Sequence, residues 1–228
     1  MPPDNAFDAI LFDLDGTLID TAPDIVAVLQ DMLEKKGGSP IAYEIARSYV
    51  SNGSAGLIRL GFPDVSADEH ERLRLEFLDR YEQSVCVHST IFAGLEALLD
   101  QFDDYGRPWG VVTNKPARMT EPLLEALGLT GRVACQVSGD TIAERKPHPA
   151  PLLLACELTG VAPARSVYVG DASRDIEAGK AAGMFTVAAA YGYITGDDDA
   201  AAWDADLIAS DVQELTTLLR KGVNLDAS

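Results

Sequence analysis

The chain has 228 residues, 47% hydrophobic and 24% charged, enough for one large globular domain or one domain carrying an insert. Its 36 acidic residues against 18 basic ones give a net charge of −18, which argues against nucleic acid or an anionic membrane as partner. Cys86, Cys135 and Cys156 are an odd number with no C-x-x-C spacing, which argues against a disulfide framework and a zinc site and for reduced thiols.

In chain order, Met1–Asn5 lacks the basic start and apolar core of a signal peptide. No apolar run approaches the roughly 20 residues that span a bilayer, so a cytoplasmic location is expected. A buried strand is predicted over 8–13, and it ends in Asp13-Leu14-Asp15-Gly16-Thr17-Leu18. Asp13 and Asp15 stand two apart, on one side of an extended backbone. Two carboxylates this close need either a bridging cation or a shared proton, and both arrangements suit work on a phosphate ester. The Thr17 hydroxyl is available to hold a carboxylate. A turn that merely uses Asp and Gly is the plainer alternative.

Residues 21–88 show helical periodicity and no strand. Ile25, Val28, Leu29, Met32 and Leu33 form one apolar stripe. Ala42, Ile45, Ala46, Tyr49 and Val50 form a second. His70, Leu73, Phe77, Tyr81 and Val85 form a third, behind a capping-box-like Ser66–Glu69. Three stripes predict a small helical bundle, hinged near 20–23 and 88–92. Its Ser51-Asn52-Gly53 turn is the candidate to reach into a site, with Asn52 as a substrate contact. Arg47 is either a second such contact or a solvated helix residue.

Further strands are predicted over 109–113, 134–138, 166–170, 185–190 and 206–209. The intervening helices over 118–127, 150–159, 173–182 and 211–221 stop at Gly128, Gly160, Gly183 and Gly222. This alternation predicts an α/β fold with a doubly wound parallel sheet. The strand at 109–113 delivers Thr113 and Asn114, which can donate to a phosphoryl oxygen or cap a helix. Lys146, between Arg145 and Pro147, can place a point charge on phosphate or stay a loop lysine. Asp171 ends the strand at 166–170 and would join Asp13 and Asp15 in an oxygen-rich site suited to Mg2+. Asp175 opens the next helix, where a carboxylate ordinarily offsets the helix dipole. The basic residues Lys115, Arg118, Arg145, Lys146 and Arg174 fall in or beside these motifs. At physiological salt the repulsion from the rest of the acidic chain is screened over about 8 Å, so these local cations can dominate.

These four motifs, in this order, resemble the haloacid dehalogenase superfamily over essentially the whole chain. The resemblance implies a Rossmann-like core over 1–20 and 89–228, with an α-helical cap over 21–88 that closes on the site. It implies Mg2+ as cofactor, Asp13 as nucleophile and Asp15 as general acid, then base. It implies Thr113 and Lys146 as phosphate anchors. Asp13, Asp171 and the Asp15 backbone carbonyl would be metal ligands, with Asp175 acting through water. Asp20–Asp24 and the small cap are similar to the phosphoglycolate phosphatase group. Stretches such as 75–81, 109–116 and 191–194 are similar to the N-acetylmuramic acid 6-phosphate phosphatases of bacterial cell-wall recycling. The implied activity is a phosphomonoesterase acting on a small phosphorylated metabolite, as a monomer or homodimer. Two other readings stay open: a β-phosphoglucomutase-like mutase, and a non-enzymatic receiver that merely accepts phosphate on Asp13.

Overall fold

The computed structural model describes residues 7–225, so Met1–Asn5 lies outside the described residues. Strand β1 (Ala9–Phe12) leads to a short strand β2 (Ile19–Asp20). The helices α1 (Ala22–Lys35), α2 (Tyr43–Ser48), α3 (Gly53–Gly61) and α4 (Ala67–Glu82) follow. Strand β3 (Thr90–Ile91) pairs antiparallel with β2, so the chain leaves and re-enters through one two-stranded ribbon. The remainder alternates: α5 (Leu95–Asp104), β4 (Trp109–Val112), α6 (Ala117–Ala126), β5 (Cys135–Val137), α7 (Ala150–Thr159), β6 (Ser166–Gly170), α8 (Ser173–Ala182), β7 (Phe185–Ala189), β8 (Leu207–Ala209) and α9 (Val212–Gly222).

The main sheet is wholly parallel, in the order β5-β4-β1-β6-β7-β8. Its central strands β1 and β4 carry no polar side chain and are buried throughout, because both faces of the sheet are covered. Ile10 and Phe12 join one buried cluster while Leu11 joins another, the period of two expected of extended backbone. The first cluster takes in α5, α6 and α9, and the second takes in α7 and α8. The first also runs on into the helical insertion through Leu29, Leu73, Phe77 and Tyr81. Sheet and insertion therefore share one apolar core.

All six predicted strands are present to within a residue or two. The first and third apolar stripes of the insertion are buried, apart from the half-buried His70. The second is corrected: α2 has only six residues, Ala42 and Ile45 are exposed, and Val50 belongs to a separate 3-10 turn that leads into α3. Gly222 is also corrected, since it does not stop α9 but is its last residue. A Cβ there would stand 2.5 Å from the Phe7 ring, so close packing selects this glycine.

Candidate active site

In a parallel open sheet the ligand crevice lies at the carboxyl ends of the strands, beside the point where strand order reverses. Here β1 is that point, with β4 on one side and β6 on the other. The tips of these three strands carry Asp13, Thr113 and Asp171, all buried. Lys146 arrives from the loop between β5 and α7. That loop is held by Asn114, whose carboxamide accepts from the Lys146 N–H at 3.0 Å and donates to the Lys146 carbonyl at 2.9 Å. The Asn114 side chain is thus committed to placing the lysine.

The Lys146 ammonium lies 2.8 Å from Asp13 Oδ1 and 2.7 Å from Asp175 Oδ1, and donates to the Tyr168 hydroxyl at 2.7 Å. Asp175 also accepts the Ala172 N–H, so it closes the first turn of α8 as well as facing the site. Asp171 Oδ2 accepts from the Tyr193 N–H at 2.8 Å and from the Ser51 hydroxyl of the helical insertion at 2.7 Å. Two glycines make room for this carboxylate. A Cβ on Gly16, whose φ is +80°, would fall 2.1 Å from Asp171 Oδ2, and one on Gly192 would fall 2.3 Å from Asp171 Cβ.

Asp13, Asp171 and Asp175 bring carboxylate oxygens within 4.8 Å of one another. Asp171 Oδ1 is buried with no hydrogen-bond partner among the described residues. Burial, then the charges of Asp13 and Asp175, push the Asp171 carboxyl up to about 8. Burial likewise raises Asp175, against the pull of Lys146. A crowded set of oxygen donors with an orphaned lone pair is what a hard divalent cation relieves, so these residues fit Mg2+.

Asp15 stands apart from that cluster. Its Oδ1 accepts from the Thr21 hydroxyl at 2.6 Å and from the Lys115 ammonium at 2.9 Å. Thr21 therefore does what the sequence suggested for Thr17, whose own hydroxyl is buried without a partner among the described residues. The reason is the hinge: β2 turns the chain back so that the start of α1 lies over Asp15.

A cavity of about 480 Å³ opens between these tips and the insertion. Asp13, Asp15, Thr113, Asn114 and Lys115 line its floor, and Ser51, Asn52, Gly53, Arg74, Phe77 and Tyr81 line its roof. Arg174 also lines it and donates to the Ser51 carbonyl at 2.8 Å, tying the roof loop to α8. Arg47 is not among the lining residues. Its guanidinium lies 4.7 Å from the Tyr193 ring centroid and donates to the Gly192 carbonyl, so it packs against the core instead of facing the cavity. Sequence reasoning passed over Tyr81, Thr21 and Arg74 as site residues. Tyr81 was visible only as a core position, because it continues the apolar stripe of Leu73 and Phe77.

A family model described as haloacid dehalogenase-like hydrolase matches residues 10–189. A phosphoglycolate phosphatase from Xanthomonas campestris is 45% identical over 207 residues, covering 91% of this chain and 94% of that protein. An N-acetylmuramic acid 6-phosphate phosphatase from Pseudomonas putida is 42% identical over 212 residues, covering 92% and 95%. Among solved structures, a predicted phosphoglycolate phosphatase from Haemophilus somnus superposes with a TM-score of 0.82 at 27% identity, covering 94% of this chain and 98% of that one.

Proposed function

The chain belongs to the haloacid dehalogenase-like hydrolases and is a phosphatase, and we propose that it cleaves a small phosphorylated metabolite through an aspartyl phosphate on Asp13. The observation that supports this best is the meeting of Asp13, Thr113 and Lys146 at one end of the sheet, beneath a cavity of metabolite size.

Asp13 attacks phosphorus in line, and the bond to the ester oxygen breaks. Asp15 gives that oxygen a proton, so the alcohol leaves neutral. Asp15 then takes a proton from the water that attacks the aspartyl phosphate, and inorganic phosphate departs with Asp13 regenerated. This divides one difficult displacement into two easier ones. Thr113 and Lys146 hold the phosphoryl oxygens, and positioning of this kind carries most of phosphoryl-transfer catalysis. Asp13, Asp171 and the Asp15 backbone carbonyl would hold Mg2+, with Asp175 behind them. Bound there, the ion offsets the repulsion between the carboxylates and the incoming phosphate. Residues 21–88 act as a cap that excludes water and selects the leaving group. Asn52 is the substrate contact on its roof loop.

The relatives' names supply the two substrates of choice, N-acetylmuramic acid 6-phosphate and 2-phosphoglycolate. Phosphate release from both should be measured in excess EDTA and after Mg2+ is restored. Turnover of at least one, lost in EDTA and regained with Mg2+, is expected. Full activity in EDTA would remove the metal assignment, and no release from either would remove the substrate assignment.

A further inference from the structure

Lys115 is buried between the sheet and the insertion, at the floor of the cavity. Its ammonium donates to Asp15 Oδ1 at 2.9 Å and to the Tyr81 hydroxyl of α4 at 2.8 Å, and lies 4.4 Å from the Tyr81 ring centroid. Burial works against the charge, but Asp15 and Tyr81 outweigh it and hold the amine protonated. Burial pushes the Tyr81 phenol up to about 12, so it stays neutral. A buried cation that costs this much desolvation is more than a surface ion pair.

Among the described residues, the two donors to the Asp15 side chain, Thr21 and Lys115, both fall on Oδ1. That leaves Oδ2 as the oxygen from which a proton can pass. Thr21 sits at the hinge, and Lys115 is tied to Tyr81 on the insertion. The carboxylate is therefore oriented from two sides, one of which exists only while α4 is seated over the β4 tip.

We infer that Lys115 is a positioning residue for the Asp15 carboxylate, and that Tyr81 holds Lys115 in place, so that proton transfer by Asp15 is assembled by the seating of the cap. This rests on the reading of Asp15 as acid and base. Lys115 would leave the nucleophile untouched. It would act on the leaving-group step, where a poor leaving group needs its proton and a good one does not.

The test uses Lys115→Met and Tyr81→Phe in the full chain. Leaving-group release in a single turnover is followed by rapid quench for two esters, a primary alkyl phosphate that the wild type hydrolyses and 4-nitrophenyl phosphate. General acid catalysis is worth about 10²–10⁴-fold, so disordering the acid without removing it should slow the alkyl ester about 10- to 100-fold in Lys115→Met. Tyr81→Phe should slow it in the same sense by a smaller factor, and because it keeps the ring it serves if Lys115→Met folds poorly. Release from the nitrophenyl ester should change by less than about threefold. Adding Lys115→Met to Asp15→Asn should cost less than about threefold on the alkyl ester, since residues that act as a unit are not additive. Equal slowing of both esters, additive losses in the double variant, or a rise in KM alone would overturn the inference. A wild type inactive on every ester would instead remove the reading of Asp15 itself.

Discussion

Lys146→Met exposes the electrostatic economy of the site. The ammonium is fully buried and bridges two buried carboxylates, Asp13 at 2.8 Å and Asp175 at 2.7 Å. Methionine keeps much of the side-chain volume, so packing changes little and the loss is one of charge. Removing one partner of a buried pair leaves an uncompensated charge and costs about 3–5 kcal/mol. At this chain length that is a fall in Tm of roughly 6–20 °C. The assay is thermal unfolding in EDTA at pH 8. The deficit should narrow as pH falls, because Asp175, already raised by burial, can then take up a proton in place of its lost partner. Mg2+ should raise the variant's Tm by more than it raises the wild type's, since the carboxylate cluster has lost its resident cation. A variant that melts within about 2 °C of the wild type in EDTA would mean that the pair carries no net energy.

Three further outcomes are expected. Asp171, raised to about 8 against an unfolded value near 4, binds a proton in the folded metal-free protein that the unfolded chain has released. Its contribution to stability is thus full below about pH 4 and lost as pH rises through about 8. The Tm in EDTA should fall across that window, and Asp171→Asn should flatten the slope. Asp24→Ala should destabilise by about 3 kcal/mol, because its carboxylate accepts the N–H groups of Val87, His88 and Ser89 and the Ser89 hydroxyl, clasping the two hinge segments together. Urea unfolding measures it, and a loss below about 1 kcal/mol would mean that water replaces the clasp. Asn52→Ala should change kcat/KM unequally between N-acetylmuramic acid 6-phosphate and 2-phosphoglycolate, whereas Arg47→Ala should lower both by one factor, since Arg47 stacks on Tyr193 outside the cavity lining.

Much of this architecture could be read from the sequence because its signals are local. Ala9–Phe12 and Ser166–Gly170 are short apolar runs ending in aspartate, and a parallel sheet buried on both faces turns such runs into strands that aim their last residues into one crevice. The order of the motifs then brings Asp13, Thr113, Lys146 and Asp171 together. What was missed depended on three-dimensional neighbours. Nothing local distinguishes Thr17 from Thr21, and only the return of the chain through β2 gives the bond to Thr21. Gly222 looks like a helix stop until Phe7, more than two hundred residues earlier, is seen against it. Arg47 reads as either a substrate contact or a solvated helix residue until the Tyr193 ring appears beneath it. Helix α5 was overlooked for another reason. Leu95, Leu98, Leu99 and Phe102 have helical spacing, but the helix opens at Gly94, in the left-handed region, with no side-chain cap to mark its start.

Trapping the covalent intermediate distinguishes Asp13 as the nucleophile from Asp15 as the acid and base. Asp13→Asn and Asp15→Asn are incubated with Mg2+ and 4-nitrophenyl phosphate, quenched in acid, and the phosphorylated residue is located by mass spectrometry. Asp15→Asn should accumulate phosphate on Asp13, because the good leaving group needs no acid while hydrolysis lacks its base. Asp13→Asn should carry none. Phosphate on any other residue, or phosphate on the Asp13→Asn chain, would contradict the account.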